Sequence, residues 1–202
     1  ESIKLAVDIC AKGKADGLVT NPISKEILYK SGFNFPGHTE YLGEITKEIH
    51  MINSRGPVMM LSGGGLKIAL ITVHVPLKKA ALLITKKEII KKAKVINEAL
   101  IKDFGIKNPR IALAGINPHA GENGQLGQEE MEIINPVAKI LRKEGINISD
   151  ALPADTLFHE EARSMYDAAI AMYHDQGLIP VKTLDFYGGV NITLGLPIVR
   201  TS

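Results

Sequence analysis

The chain has 202 residues, of which 45% are hydrophobic and 23% are charged, and its formal net charge is +2. This balance is typical of a globular protein with a sizeable core. It argues against a nucleic-acid-binding surface, because the lysines are spread along predicted helices and Trp is absent. The single cysteine, Cys10, excludes a disulfide framework and favours a reducing, cytoplasmic location. No apolar run reaches the roughly 20 residues of a membrane-spanning helix.

The first half of the chain alternates amphipathic and apolar segments, a pattern typical of β-α units around a mostly parallel sheet. Three glycines at 63–65 follow one apolar run and precede another, which predicts a hairpin and therefore a mixed sheet. The elements predicted here are a helix at 3–10, a strand at 16–20, helices at 24–30 and 39–50, and strands at 57–61 and 67–73.

The second half contains the best-defined helix, at 86–103. Its apolar residues recur at steps of three and four and form one stripe, and Thr85 and Glu88 form a capping box at its start. The other predicted elements are a strand at 110–116, a helix at 128–144 bent near Pro136, a short helix at 160–165, and strands at 168–172 and 190–194. The expected fold is therefore α/β, with a mostly parallel or mixed sheet flanked by helices.

Histidines follow three of the predicted strands. His74, His119 and His174 each come directly after an apolar run. The carboxyl ends of parallel strands meet at one edge of a sheet, and ligands bind there. His119 and His174 lie in polar segments that a core would not need, whereas His74 has either a structural or a substrate-side role. The sequence thus predicts a metal or proton-transfer site at this edge.

A further histidine, His38, lies at the start of the predicted helix 39–50. Neutral imidazole is the commonest metal ligand in proteins, and three protein ligands leave a coordination position open for substrate. We therefore take His38, His119 and His174 as a candidate metal site. The wide spacing of these residues makes the pattern unspecific, and each could instead be a satisfied surface or core group.

Other polar residues accompany the histidines. Asp155 and Asp175 could orient a ligand, bind a metal or move a proton, and Asp155 could instead cap a helix. Lys182, Asn191 and Arg200 follow at nearly regular intervals in the last third of the chain. They suit an anionic substrate, because Arg binds phosphate and carboxylate groups through paired hydrogen bonds.

Six motifs in this sequence resemble those of the 4-hydroxythreonine-4-phosphate dehydrogenase family, in the same order and over nearly the whole chain. The resemblance implies a fold related to isocitrate and isopropylmalate dehydrogenases and not a Rossmann domain. It also implies a homodimer whose active sites lie at the subunit interface. The motifs are Thr-Asn-Pro-Ile-Ser-Lys (20–25), Gly-His-Thr-Glu-Tyr (37–41), Asn-Pro-His-Ala-Gly-Glu-Asn-Gly (117–124), Leu-Pro-Ala-Asp-Thr-Leu-Phe (152–158), Ala-Met-Tyr-His-Asp-Gln-Gly-Leu (171–178) and Gly-Val-Asn-Ile-Thr-Leu-Gly-Leu-Pro (189–197).

The same resemblance assigns cofactors. The family's divalent metal, zinc or alternatively magnesium or cobalt, is held by three histidines that match His38, His119 and His174. The hydride acceptor is NAD+ or NADP+, and its contact residues are not identified from this sequence.

Substrate-binding residues of the family match Lys182, Asn191 and Arg200. Asp155 and Asp175 match acidic positions near the metal, and with Lys182 they are the expected catalytic residues. The small phosphorylated substrate implies no nucleic-acid or membrane partner.

The implied reaction is a metal-dependent, NAD(P)-linked oxidation of 4-phosphooxy-L-threonine in pyridoxal 5′-phosphate biosynthesis. Its β-keto acid product decarboxylates to 3-amino-2-oxopropyl phosphate. The first alternative is a relative acting on 4-phospho-D-threonate or erythronate, and more distant ones are a metal-dependent hydrolase and an inactive metal-binding fragment. Because family chains extend beyond both ends of this sequence, residues 1–202 are expected to be the central catalytic portion of a two-domain dehydrogenase.

Overall fold

The computed structural model describes residues 1–21, 24, 27, 30, 32–35 and 37–202, so the predicted helix at 24–30 lies largely outside the described residues. The strands are β1 (Leu18–Val19), β2 (Val58–Gly63), β3 (Leu66–Leu70), β4 (Ile111–Ala114), β5 (Ile148–Leu152), β6 (Ala168–Ala171), β7 (Val190–Leu194) and β8 (Arg200–Thr201). The helices are α1 (Ser2–Ala11), α2 (His38–Ile45), α3 (Leu77–Leu83), α4 (Lys86–Lys102), α5 (Asn135–Lys143), α6 (Ala154–Leu157), α7 (Glu160–Arg163) and α8 (His174–Leu184). A 3-10 turn covers Pro118–Gly124 and a π-helical turn covers Glu130–Ile134.

These strands form one mixed sheet in the order β1-β8-β7-β2-β3-β6-β4-β5. Four neighbours, β3, β6, β4 and β5, run parallel to one another, whereas β2 is antiparallel to both β3 and β7. The predicted hairpin and the mixed sheet are therefore confirmed. The parallel block leaves the carboxyl ends of four strands at one edge.

Helices cover both faces of this sheet. On one face Met60 packs in a buried cluster with Ile96 of α4 and Leu141 of α5. On the other face Leu61, its neighbour in β2, packs with Val181 of α8. Successive strand residues point to opposite faces, so a continuous apolar run in β2 supplies both cores.

The long helix α4 follows its sequence pattern closely. Thr85 caps it, because its hydroxyl oxygen accepts a hydrogen bond from the Glu88 backbone N–H at 3.3 Å. Ile89, Ile96 and Leu100 on its apolar stripe are fully buried. Each contributes about 1.5–3 kcal/mol through removal of apolar area from water, so this stripe fixes α4 on the sheet.

Other elements differ from the sequence prediction. Helix α2 ends at Ile45, earlier than the predicted residue 50. The predicted helix 128–144 begins as a π-helical turn at Glu130–Ile134, and Pro136 lies directly after this turn, at the start of α5. Helices α3, α6 and α8 and strands β5 and β8 were not predicted. None of the described helices is long and apolar enough to cross a membrane.

Helix α8 was not predicted from the sequence because it contains a glycine and a proline. Gly177 is required by close packing, since a Cβ atom there would lie 2.5 Å from Leu70 Cδ2 and 3.0 Å from Ile68 Cγ2. Pro180 lies inside the helix. Both residues lower intrinsic helix propensity, and the burial of Val181 and Leu178 against the sheet outweighs this loss.

Candidate functional site

Polar residues gather where the parallel strands end. His74 follows β3, His119 follows β4, Asp155 follows β5 and His174 follows β6. Because these four strands are parallel neighbours, all four residues lie at the same edge of the sheet. The structure thus places them where the sequence predicts a site.

His174 is the first residue of α8, and its orientation is fixed by the next residue. Its Nδ1 atom lies 2.7 Å from Oδ1 of Asp175. With the Nδ1 proton donated to that carboxylate, Nε2 carries the lone pair that binds a metal or accepts a proton. The ring of His74 is 5.5 Å from that of His174, centroid to centroid. Both rings border a cavity of about 230 Å³ that Tyr173 and Ala80 also line.

A glutamine that the sequence analysis missed joins the loops after β6 and β4. The Gln176 Oε1 atom accepts a hydrogen bond from the Met172 N–H at 2.7 Å, and its Nε2 donates to the Gly115 carbonyl at 2.7 Å. Two strand ends are thereby held in register by one side chain. Its position in the sequence, between the predicted metal ligand His174 and Gly177, is the feature that could have identified Gln176 as a site residue.

His119 lies in a turn of unusual backbone geometry. Within Pro118–Gly124 the φ angles of six consecutive residues are positive, and four of these residues are not glycine. His119 itself has φ 51° and ψ 31°. Left-handed backbone costs an L-residue about 1–2 kcal/mol, and such strain persists at functional sites where surrounding contacts impose it. The imidazole of His119 is exposed, and so it is available to a ligand.

The contacts that impose this turn come from a second residue absent from the sequence prediction, Glu130. Its side chain is 1% exposed. One carboxylate oxygen, Oε1, accepts from the backbone N–H groups of Ile116 and Asn117 at 2.7 and 2.9 Å. The other, Oε2, accepts from Asn117 Nδ2 at 3.0 Å. Gly121 leaves the space for that oxygen, since a Cβ atom there would lie 2.6 Å from it.

Asp155 lies in α6, which packs against the strained turn. The alternative interpretation of Asp155 as a helix cap is wrong, because Pro153 occupies the N-cap position of α6 and His159 that of α7. The Asp155 side chain is exposed at the strand edge. Its carboxylate is therefore available to a ligand bound beside His119.

Arg200, in contrast, is only 3% exposed. Its Nε and Nη2 atoms donate to Thr20 Oγ1 at 3.2 and 2.7 Å, and Nη1 donates to Thr193 Oγ1 at 3.1 Å. Among the described residues no carboxylate forms an ion pair with it. Burial lowers the pKa of Arg200 from its ordinary value, but a guanidinium keeps its charge at neutral pH. A buried positive charge that only neutral hydroxyls hold is suited to an anionic ligand.

Asn191 and Lys182 face the same side of the sheet as Arg200. Asn191 is paired in register with Leu61, whose side chain lies in the cluster under α8. The Asn191 Oδ1 atom is buried and has no hydrogen-bond partner within the described part of the chain. Lys182 is exposed on α8, and its Nζ lies 5.8 Å from the ring centroid of Phe186. These placements give one sheet face two cations and an unsatisfied amide oxygen.

His38 lies far from the other two predicted metal ligands. It borders a cavity with Leu18 and Thr20, beside β1. Partial burial, and secondly the charge of Arg200, lower the pKa of His38, so its imidazole favours the neutral form. Strands β1 and β6 are five positions apart in the sheet, which at about 4.8 Å per step is roughly 24 Å. No three His, Cys, Asp or Glu side chains of the described residues are grouped to hold a metal ion.

Comparison with known proteins identifies the family. A family model described as "Pyridoxal phosphate biosynthetic protein PdxA" matches residues 1–202. The 4-hydroxythreonine-4-phosphate dehydrogenase of Maricaulis maris is 57% identical, over 100% of this chain and 59% of the relative. That of Caulobacter vibrioides is 56% identical, over 99% of this chain and 60% of the relative. The chain therefore spans about three-fifths of the length of these curated relatives.

Solved structures agree with this result. A 4-hydroxythreonine-4-phosphate dehydrogenase from Klebsiella pneumoniae superposes with a TM-score of 0.88 at 40% identity, covering 99% of this chain and 58% of that one. A terephthalate 1,2-cis-dihydrodiol dehydrogenase from Burkholderia xenovorans gives a TM-score of 0.78 at 29% identity, covering 98% and 60%. Similar folds thus carry dehydrogenases with different named substrates.

Proposed function

This chain belongs to the PdxA family, and from that membership we propose that the protein oxidises 4-hydroxythreonine 4-phosphate (4-phosphooxy-L-threonine) with NAD+ or NADP+. The secondary alcohol gives its hydride to the nicotinamide and its proton to a base. The resulting β-keto acid loses CO2, and protonation of the carbon left behind gives 3-amino-2-oxopropyl phosphate. This places the protein in pyridoxal 5′-phosphate biosynthesis.

The observation that carries the proposal is the buried guanidinium of Arg200. Two threonine hydroxyls hold it, and no carboxylate of the described residues neutralises it. A phosphate or carboxylate of the substrate would supply the missing negative charge through paired hydrogen bonds. Lys182 and Asn191 on the same sheet face would add a mobile cation and an amide. This combination favours a substrate with more than one anionic group.

The histidines fit a divalent metal by their donor chemistry. Neutral imidazoles suit zinc, with cobalt as a close alternative, whereas magnesium prefers oxygen ligands. His174 has its Nδ1 atom engaged by Asp175, which leaves Nε2 for coordination. When bound by His38, His119 and His174, the metal supplies Lewis-acid polarisation of the substrate hydroxyl oxygen.

We further propose that two copies of the chain complete each site. Within one copy His38 lies beside β1, whereas His119 and His174 follow β4 and β6 at a distance of several strands. A homodimer in which His38 of one subunit meets His119 of the partner subunit and His174 of the partner subunit would reconcile this separation with a three-histidine site.

The chain's carboxylates supply the proton chemistry in this proposal. Asp155 lies at the strand edge against the turn that bears His119, so its exposed carboxylate is the candidate acceptor of the hydroxyl proton. Asp175 instead holds the Nδ1 proton of His174 and keeps that ring oriented. Lys182 binds an anionic group of the substrate, and this contact keeps the substrate in place while CO2 leaves.

The test is a substrate panel on the full-length protein with its metal. We expect reduced nicotinamide to form with 4-phosphooxy-L-threonine, at a higher kcat/KM than with 4-phospho-D-threonate or 4-phospho-D-erythronate. A preference for the threonate or erythronate would select the sugar-acid alternative within the family. Turnover without a nicotinamide cofactor would indicate a metal-dependent hydrolase and would contradict the proposal.

A further inference from the structure

Glu130 combines two properties that a purely structural residue does not need together. It is a carboxylate at 1% exposure, and no basic side chain among the described residues forms an ion pair with it. Its carboxylate accepts hydrogen bonds from amide N–H groups of Ile116 and Asn117. A neutral or apolar side chain would fill such a place at lower desolvation cost. The role of the buried Glu130 carboxylate therefore lies in the neighbouring groups that it holds by hydrogen bonds.

Those neighbours lead directly to His119. Ile116 and Asn117 form the connection between β4 and the left-handed turn, and Glu130 holds both of their backbone N–H groups on one oxygen. Inside the turn, the Glu130 carboxylate occupies the space that a Cβ atom of Gly121 would fill, at 2.6 Å. The Glu130 carboxylate thus contacts the backbone on both sides of His119, and Glu129 adds a second acceptor for Asn117 Nδ2 at 2.7 Å.

The helical segment that carries Glu130 supports the same interpretation. Glu130 begins the π-helical turn Glu130–Ile134, which precedes the regular helix α5. Such a turn accommodates one extra residue and rotates the side chains that precede it, and it occurs often at functional sites. Here Glu130 and Ile134 both face inward, whereas Glu132 is exposed.

We propose that Glu130 is a positioning residue that sets the geometry of His119 for metal binding. This inference rests on the proposed function, because it requires His119 to be a metal ligand. Glu130 does not touch the metal; it fixes the strained backbone from which the His119 imidazole projects. The amide hydrogen bonds to Glu130 hold this backbone in place, so the ligand is preorganised.

The test compares metal affinity and stability in variants of the full-length protein. Glu130→Gln keeps the shape and one carbonyl oxygen, but its NH2 group faces the NH2 group of Asn117. We expect a ten-fold or greater loss of Co²⁺ and Zn²⁺ affinity, and a changed intensity of the visible Co²⁺ spectrum, which reports ligand geometry. Glu132→Gln, an exposed glutamate of the same turn, is the matched control and should bind metal like the wild type.

A second control separates positioning from general destabilisation. Ile134→Val removes one buried methylene from the same π-helical turn and should lower the melting temperature without changing metal affinity. If Glu130→Gln does not fold, Glu130→Asp keeps the charge but withdraws the carboxylate by one methylene from the N–H groups of Ile116 and Asn117, and it should show the same loss of affinity. Both variants are measured at a temperature at which their circular dichroism matches that of the folded wild type.

The outcomes distinguish the two proposals. Wild-type protein that binds Co²⁺ and Zn²⁺, with Glu130→Gln binding them equally well, would overturn the role of Glu130 alone. Equal losses of affinity in Glu130→Gln and Ile134→Val would also overturn it, because the effect would then follow stability. Wild-type protein that binds neither metal would overturn the proposed function, and the role of Glu130 with it.

Discussion

The Nδ1 atom of His174 and the Oδ1 atom of Asp175 lie 2.7 Å apart, although the two residues are neighbours in the first turn of α8. The contact occupies Nδ1 and leaves Nε2 as the ring nitrogen of His174 that can bind a ligand. Because the Asp175 side chain is 73% exposed, it is not held by burial. Its hydrogen bond with the imidazole is therefore the contact that would orient His174 as a metal ligand.

Asp175→Asn tests this orientation. We expect about 10–100-fold weaker Zn²⁺ binding, because an amide neither fixes the imidazole tautomer nor raises its basicity. The fold should be unchanged, since the side chain is exposed. Competition with a coloured chelator measures the affinity, and Asp8→Asn, another exposed carboxylate on a helix, is the control. Equal Zn²⁺ affinity in Asp175→Asn and wild type would remove Asp175 from the metal site.

Arg200→Lys tests the anion site. A lysine keeps the charge but cannot form paired hydrogen bonds, and it would lose the contacts with Thr20 and Thr193. We expect KM for the phosphorylated substrate to rise by about ten-fold or more, which corresponds to a charge-assisted hydrogen bond of about 1.5–3 kcal/mol. Arg142→Lys, a half-exposed arginine paired with Asp150, should leave KM unchanged. An unchanged KM in Arg200→Lys would place the substrate elsewhere.

Gly177→Ala tests the packing of α8 on the sheet. The new methyl group would lie 2.5 Å from Leu70 Cδ2, so either the side chain or the helix has to move. We expect a loss of about 1–3 kcal/mol in the free energy of unfolding, measured by denaturant titration. Thr183→Ala, at an exposed position of α8, should change it by less than about 0.5 kcal/mol. A Gly177→Ala protein of wild-type stability would show that α8 is not seated as described.

Ile96→Ala tests the core under α4. Ile96 is fully buried between that helix and the sheet, whereas Ile101 of the same helix is 42% exposed. Truncation at residue 96 should cost about 2–5 kcal/mol, because it removes buried methyl groups and leaves a cavity. The same truncation at residue 101 should cost clearly less. Similar losses at both positions would contradict the assignment of the buried face.

Asp167→Asn tests the pH dependence of stability. Asp167 accepts hydrogen bonds from the side chain and the backbone N–H of Arg110, and this pairing lowers the pKa of the carboxyl. A carboxyl whose pKa is lower in the folded state stabilises the fold above its unfolded-state value and loses that contribution as pH falls through the folded-state value. The variant should therefore be less stable than wild type at neutral pH.

The difference in free energy of unfolding between Asp167→Asn and wild type should shrink as the pH falls below about 4. Urea titrations at intervals from pH 7 to the acid limit of the folded state measure it. A difference that stays constant over that range would show that Asp167 acts through something other than its charge.

The periodicity of the apolar residues, with the glycines and capping residues at the ends of the elements, was enough to predict most of the sheet and the helices around it. Strands β2, β3, β4, β6 and β7 and helix α4 were predicted because their apolar patterns are strong and their ends carry glycines or caps. Helix α8 was missed because tertiary packing at Gly177 overrides local propensity. Strand β5 was missed because its Ile-Ser-Asp-Ala-Leu sequence is short and half polar.

The candidate site was only partly predictable for a different reason. Chemistry-bearing side chains such as His119 and His174 are recognisable from their polar, turn-rich surroundings. Their supporting residues are not, because Glu130 and Gln176 act through contacts with backbone groups distant in sequence. The distance between His38 and the other histidines could not be read from the sequence either, since it depends on the strand order.

Helix α8 sets the distance between two parts of the candidate site, the predicted metal ligand His174 and the predicted substrate-binding residue Lys182. His174 begins the helix and Lys182 lies eight residues later, so their Cα atoms are roughly 12 Å apart along the axis. The helix packs on the sheet through Gly177, Leu178 and Val181, and Gly177 is the point where it meets Ile68 and Leu70. Substitutions of Ile68 or Leu70 beneath that point should therefore change metal affinity and substrate KM together, although neither residue is expected to touch a ligand. Substitutions at one end of the helix, at His174 or at Lys182, should change only one of these two quantities.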